Sequence, residues 1–534
     1  MHKKNQRILK RINRALVLTC SLLLAGQAVA APIPDSLKTV AVPLPSLTNY
    51  VKDTAAAIRL GKALFWDMQV GSDGQTACAT CHFSSGVDPR LVNTINPGLN
   101  PGRNGVFDVT LPLDKTDFPF LGTNDDVVGS QGVVHKNFIS LTSGSAVDTC
   151  GAALSAARRV TDRNTPSSVL SVFHKDNFWD GRAKSIFNGV DISGASVTDP
   201  LKAIWVTGRK GMVKASLSIS PASTASQAVG PPLNAVEMSC EGLTFPRLGR
   251  KMVNNGLAPL GAQLVHARDS VLGSLSKSPA TGLNTTYKAM IQAAFQPTYV
   301  SDNLVPNGSG FTQTEQNFSL FWGLAVMLYE STLNPNDTPF DKWREGTGTL
   351  TAQQQLGLDV FLNKGSCEGC HGGPEFTNAS IQTGGRGDFA NTAVRPIAED
   401  HGVEPAKNGE FKSNTIRNIE LTGPYFHNGG YLTLKQLVDF YNRGGDHLSG
   451  ATDAQIRPLG LTEEEKTALV DFMITLTDNR VKCEQAPFDR PSINIPNGAT
   501  LSAVGAAGRC SATDTGIKPF LYTGDPQFHF QMVP

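Results

Sequence analysis

Cys78-Ala79-Thr80-Cys81-His82 and Cys367-Glu368-Gly369-Cys370-His371 are two copies of one short pattern, 289 residues apart. Two thiols at that spacing add across the two vinyl groups of one haem, and the adjoining imidazole turns back to ligate the iron. A disulfide or a thioredoxin-like redox pair has no need of the histidine, and a zinc site would need both thiol pairs on one metal. The repeated histidine therefore predicts two covalently bound c-type haems, with His82 and His371 as iron ligands.

That chemistry belongs to an exported protein, and the N-terminus reads as an export signal. Lys3, Lys4, Arg7, Lys10, Arg11 and Arg14 form a basic region, Ala15 to Ala25 an apolar one, and Ala28-Val29-Ala30 a small-residue cleavage site. The apolar run is too short to span a bilayer, so residues 1–30 read as a cleaved signal and the mature chain as periplasmic, with no membrane anchor. Cys20 leaves with the signal. So do six cations and no acids, which takes the formal charge from +1 to −5. That balance argues against nucleic acid and anionic membrane surfaces as partners. At 504 residues and 40% hydrophobic content, the mature chain has enough apolar material for two or three cores.

Four cysteines remain beyond the haem motifs: Cys150, Cys240, Cys483 and Cys510. An even number in an oxidising compartment predicts two disulfides, and four cysteines allow three pairings. Proximity in sequence favours Cys483 with Cys510, leaving Cys150 with Cys240; free buried thiols are the alternative.

Apolar residues at helical spacing precede both haem motifs, in Ala55-Ala56-Ile58-Leu60-Gly61-Leu64-Phe65 and in Gln355-Leu356-Leu358-Val360-Phe361-Leu362. This looks like one haem-domain plan used twice. Helices are also predicted at 313–332, with Thr312 and Glu315 as a capping box, and at 462–477. Gly, Ser, Thr and Pro-rich stretches at 84–162 and 186–226 read as large surface insertions. The fold expected is mainly α, with two cytochrome c-like haem domains, long loop insertions and a few short strands. The boundaries are an N-terminal haem domain over 31–310, a C-terminal one over 311–480, and a tail over 481–534 packing back on both.

The order of motifs resembles the bacterial dihaem cytochrome c peroxidase/MauG superfamily. The resemblance rests on Leu60-Gly61-Lys62-Ala63-Leu64-Phe65, Arg163-Asn164-Thr165-Pro166, Phe178-Trp179-Asp180-Gly181-Arg182 and Asn234-Ala235-Val236-Glu237-Met238. In the second half it rests on Thr415-Ile416-Arg417-Asn418 and Leu421-Thr422-Gly423-Pro424-Tyr425-Phe426-His427-Asn428-Gly429. It implies that His82 holds a peroxidatic haem and His371 an electron-transfer haem. It implies Glu237 as the acid–base group beside the first haem, Gln227 as a second distal-pocket residue, and Trp179 as a relay between the haems. It implies a calcium ion held by Asn164 and by the backbone carbonyls of Thr422 and Pro424. A homodimer is the family's habit.

Fourteen residues beyond His427, where ordinary members carry a ligating methionine, this chain has Tyr441, as MauG-like members do. A phenolate favours ferric and higher iron states, whereas a thioether raises the potential. Met473, also in this half, is the alternative ligand. Residues 83–134 contain no histidine to block the first haem, so the site is expected to be open without reductive activation; His135 reads as an exposed loop residue that could still reach the iron. The resemblance thus implies a periplasmic peroxidase that reduces hydrogen peroxide to water through a high-valent dihaem state, using electrons from a small periplasmic donor protein. The alternatives are a MauG-like enzyme oxidising residues of a partner protein, a dihaem electron carrier without a substrate, and an oxygenase. Neither of the last two needs a distal carboxylate such as Glu237.

Overall fold

Asp53 accepts a hydrogen bond from the Ala56 amide (3.0 Å) and so opens the helix that leads to the first haem motif. Thr351 and Gln354 form a reciprocal capping box that opens the helix before the second motif. The computed structural model describes residues 32–91, 94–96, 127–155, 157–200, 202–384 and 388–510. The export signal with Cys20, residues 97–126 of the first insertion and the tail beyond residue 510 lie outside the described residues.

In chain order the helices are α1 (Thr54–Trp66), α2 (Ser223–Ala228), α3 (Phe245–Asn254), α4 (Tyr287–Ala294), α5 (Gln313–Gln316), α6 (Phe318–Glu330), α7 (Pro339–Arg344), α8 (Ala352–Leu362), α9 (Leu434–Arg443), α10 (Glu463–Ile474) and α11 (Asn479–Lys482). The strands are short and form separate two-stranded antiparallel pairs. The fold is mostly helical, as the sequence indicates. Among the described residues no helix is long and apolar enough to cross a membrane.

Buried apolar residues fall into two clusters, each built on a close helix crossing. In the first, α1 crosses α6 at Gly61, where an added Cβ would lie 1.9 Å from the Ala325 carbonyl oxygen. In the second, α8 crosses α10 at Gly357, where it would lie 1.9 Å from the Ala468 carbonyl oxygen. Each crossing is followed, 17 and 10 residues on, by a 3-10 turn that begins at the first motif cysteine, Cys78–Thr80 and Cys367–Gly369.

The boundary expected at residue 311 lies between α4 and α5. Every residue of α6 is buried, and the helix is the spine of the first cluster because α1 packs on it. The second cluster begins at Phe340. The single helix expected over 313–332 is broken at Asn317, whose side chain bonds the Trp205 amide (2.8 Å) and the carbonyls of Trp205 (2.7 Å) and Tyr299 (2.9 Å). Three bonds to non-helical backbone outweigh continuation of the helix at that residue. Beyond α11, Ile493, Ile495 and Leu501 enter the first cluster.

The described part of 84–162 is not merely a surface flap. Strand Gln131–Val134 pairs with Arg158–Val160, and Val128, Ser130, Gln131 and Val133 are buried. Val133 donates to the Val236 carbonyl (3.1 Å), and a Cβ on Gly132 would lie 1.9 Å from that same oxygen. The Cys150–Cys240 disulfide ties the segment to the same loop, and Cys483–Cys510 closes the tail, as proximity in sequence favours. The buried Lys251–Asp148 pair (3.1 Å) adds an ionic link to α3. In the second insertion Ala203, Ile204 and Trp205 are likewise buried, beside Asn317.

At Gly357 the obstacle to a side chain is backbone, which no rotamer change relieves. Gly357→Ala is expected to lower unfolding stability by about 1–3 kcal/mol despite the better helix propensity of alanine, measured by denaturant titration; unchanged stability would show that the crossing tolerates a methyl group.

Candidate haem and peroxide site

His82 follows the first 3-10 turn, and its Nδ1 lies 2.6 Å from the Gly86 carbonyl oxygen. A carbonyl can only accept, so Nδ1 carries the proton and Nε2 keeps its lone pair for a metal. Gly86 has a left-handed backbone (φ +78°), and an added Cβ would come within 2.7 Å of Ser167 Oγ. The loop that orients the imidazole therefore depends on a glycine pressed against residues 167–168.

A cavity of about 460 Å³ brings together Cys81, His82, Asn164, Trp179, Gln227 and Glu237. These six come from widely separated stretches of sequence. Glu237 is held by Asn234, whose Nδ2 donates to Glu237 Oε1 (3.1 Å) while its Oδ1 accepts from the amides of Val236 (2.7 Å) and Glu237 (3.3 Å). One asparagine thus shapes the turn and holds the carboxylate. Burial pushes the Glu237 carboxyl up to about 7, with Arg182 drawing it down and Asp162 raising it.

Trp179 donates its indole N–H to the Asn164 carbonyl (2.7 Å), and its ring meets His427 edge-on at 6.2 Å. It stands where the two halves of the chain meet. Asn164 donates its amide to the His427 carbonyl (2.7 Å), Val128 donates to Asn428 (2.9 Å), and Lys412 donates its amide to the Trp179 carbonyl (2.7 Å). Thr422 and Pro424 lie in the same 422–428 segment but do not line the cavity. His135 does not line it either; its Nε2 pairs with Glu241 Oε2 (2.8 Å).

Three cavity-lining groups had no role in the sequence reading. Glu330 ends α6, accepts from the Ser171 hydroxyl, and is pushed up to about 8 by burial. A carboxylate closing an otherwise apolar helix was the available signal. Lys412 is buried and brought down to about 7 by burial, with Asp176 and Asp180 opposing. No spacing in the sequence marks it. His427, inside a matching motif, stacks on Phe411 with ring centroids 3.6 Å apart, and burial drives it down to about 3. It is therefore a neutral aromatic wall rather than a proton carrier.

In the second half, Asn378 clamps the motif loop, donating to the Gly369 carbonyl (2.6 Å) and accepting from the Gly372 amide (3.2 Å). Burial brings the His371 imidazole down to about 4, with backbone hydrogen bonds at Phe376 and Asn414 opposing. Tyr441, on α9, packs against Phe426 (6.0 Å) and Phe440 (5.1 Å). Burial holds its phenol well above the usual range, and the thiols of Cys370 and Cys367 push the same way. Met473 is buried in the second apolar cluster.

Cys78, Cys81, Cys367 and Cys370 carry free thiols, whereas the other four described cysteines are paired. Two free thiol pairs, each followed by a buried imidazole, fit two c-type haems.

The profile of the di-haem cytochrome c peroxidase family matches residues 55–349, more than half of the chain, and the chain belongs to that family. Two c-type haems are what that membership implies. Among curated proteins, cytochrome-c peroxidase IdrP1 of Denitromonas iodatirespirans is 30% identical over 213 residues, covering 34% of this chain and 55% of that one. Cytochrome c551 peroxidase of Nitrosomonas europaea is 39% identical over 176 residues (32% and 46%), and methylamine utilization protein MauG of Methylorubrum extorquens 29% over 178 (32% and 46%). The chain spans about half the length of the curated relatives it matches. Among solved structures, a MauG-like protein associated with microbial copper homeostasis superposes with TM-score 0.49 at 18% identity, covering 86% of this chain and 97% of that one. The diheme peroxidase BthA of Burkholderia thailandensis gives 0.42 at 18%, covering 89% and 98%.

Replacing Cys78 and Cys81 together by Ala is expected to halve the covalently bound haem per chain, read by pyridine haemochrome assay. Retention of two covalent haems would contradict the assignment.

Proposed function

We propose that this protein is a peroxidase that reduces hydrogen peroxide to two waters with two electrons from an external donor and two protons. The observation that carries the reading is Glu237, a buried carboxylate with a carboxyl pushed up to about 7, on the same cavity as the metal-ready imidazole of His82. When bound, the first haem supplies the iron at which peroxide accepts electrons. Glu237 takes the proton from the near oxygen of peroxide and returns it to the far one, so that water can depart. Near neutral pH both of its forms are populated, which suits a group that must accept and release within one turnover. Asn234 fixes its orientation, and Gln227 lines the same space.

In this reading His371 and Tyr441 would hold the second haem, which would supply the route for electrons, and Trp179 would relay them. The bond from the Trp179 indole to the Asn164 carbonyl fixes the ring where the halves meet. The influence of Cys370 and Cys367 on the phenol supports Tyr441 over Met473 as ligand, and an anionic oxygen ligand would give this haem a low potential. The pairing of His135 with Glu241 leaves the first site open, so no prior reduction is required. A calcium ion at the junction would join Asn164 to the carbonyls of Thr422 and Pro424. Asn164 Nδ2 is engaged with Val128 O (3.2 Å) and its carbonyl with Trp179, which leaves Oδ1 as its donor. The protein would work in the periplasm, supplied by a small redox protein.

Rapid mixing of the oxidised protein with one equivalent of hydrogen peroxide is expected to change the haem spectrum at once. A response only after one haem has been reduced would overturn the open site. Glu237→Gln is expected to slow that step about 10²–10⁴-fold. The base must be ionised, so the wild-type rate should fall as pH drops through about 7; a Gln variant with the same pH profile would remove Glu237 from the mechanism. Chelation of calcium is expected to lower the thermal midpoint, and a midpoint indifferent to chelator would argue against the ion.

A further inference from the structure

We propose that His174 and Lys412 form one buried basic pair that binds a haem propionate. The inference rests on the chain carrying haem and names residues that no haem motif contains. His174 is 3% exposed, and neither ring nitrogen has a hydrogen-bond partner among the described residues. Two unsatisfied imidazole nitrogens in a protein interior cost several kcal/mol unless something absent from the polypeptide satisfies them. Lys412 is equally buried. Its Nζ has one hydrogen-bond partner among the described residues, the neutral amide oxygen of Asn177 (3.3 Å), and no carboxylate within ion-pair distance.

The nearby acids are committed elsewhere. Asp180 pairs with Arg163 (2.6 Å) and Arg182 (2.9 Å), and Asp176 accepts from the Ser185 amide (2.8 Å) and faces Lys184 (3.6 Å). A buried ammonium without a counter-ion therefore calls for an anion brought in from outside the chain.

The two basic residues are linked by one buried hydrogen-bonded chain that ends on the His174 main chain. Lys412 Nζ donates to Asn177 Oδ1, Asn177 Nδ2 donates to Ser223 Oγ (2.9 Å), and Ser223 Oγ donates to the His174 carbonyl (2.7 Å). The charge on Lys412 also acts on the His174 ring. Lys412 and Asn177 line the cavity that contains His82. On the other side, Lys175 donates to Ala379 (2.9 Å) and Ile381 to Phe173 (2.8 Å), which sets His174 beside the loop that follows His371. The pair thus lies between the two haem attachment sites. A propionate has the chemistry it demands: one negative charge for Lys412 and a second oxygen for an imidazole N–H. Either haem could supply it.

The test is potentiometric titration of the two haems, resolved by their spectra, in Lys412→Met, His174→Leu and Lys412→Arg proteins whose haem content has been measured. A cation beside a propionate stabilises the ferrous state, so its removal lowers the midpoint potential. The expected result is that Lys412→Met and His174→Leu lower the potential of the same haem while Lys412→Arg preserves it. The haem that moves identifies the source of the propionate. Loss of haem from the first two variants but not from Lys412→Arg supports the same conclusion. Wild-type potentials in fully loaded variants, or shifts on different haems, would overturn the pairing. A wild-type chain without two haems would instead strike down the reading on which the proposal rests.

Discussion

The structure depends on how closely two pairs of helices approach. At Gly61 and at Gly357 the helix preceding a haem motif lies so near its partner that a methyl group would meet a main-chain oxygen. Contact at that range fixes the angle and depth of the crossing, because backbone cannot turn aside as a side chain can. The 3-10 turns with the motif cysteines hang from these helices, so each crossing sets where its thiols and imidazole stand. Around the first crossing, Trp66 donates to the Tyr329 hydroxyl (2.9 Å) and Phe65 packs between Tyr329 (5.4 Å) and His82 (6.1 Å). The spine of the core runs directly into the site.

The distal side is secured by other means. Glu237 sits in a loop with little regular structure, and what holds that loop is the strand 131–134, the Cys150–Cys240 disulfide and the side chain of Asn234. The long segment after the first motif is therefore a load-carrying wall of the cavity. The two halves are also joined, independently of it, at Asp341, which Arg417 holds within the second half through two guanidinium contacts of 2.9 Å and which accepts from the Leu37 amide of the first (2.9 Å).

Much of the site was legible in the sequence, for a physical reason. Haem attachment requires residues at fixed local spacing, so Cys78, Cys81, His82, Cys367, Cys370 and His371 announce themselves. Glu237, Trp179 and Asn164 were reachable through motif resemblance, and the structure brings them to one cavity. The helix before each motif was visible from its periodicity, and the caps at Thr312 and Thr462 from side-chain chemistry. The packing of α6 in the first cluster was not legible, because the helix is apolar all round and nothing local says which half it serves. The burial of Val128 to Val133 was hidden because a Gly-rich strand buried against irregular backbone has no alternating pattern. Lys412 was invisible because burial of a charge is a property of the surrounding chain, whereas Glu330 showed only as a carboxylate closing an apolar helix. The break at Asn317 required knowing where Trp205 and Tyr299 would lie.

The disulfides bear on how the molecule must be assembled. Eight cysteines lie beyond residue 30. The native crosslinks close loops of 90 and 27 residues, whereas the thiols within each haem motif are separated by two residues. Loop closure costs less entropy the shorter the loop, so oxidation of the bare chain favours the motif pairs, the wrong ones for haem. Productive maturation therefore runs in one order: each Cys-x-x-Cys-His must be kept reduced until its porphyrin is attached. Thioether formation then removes four thiols irreversibly from the exchange pool, and the four cysteines left over are free to settle into the crosslinks that hold the distal wall and the tail.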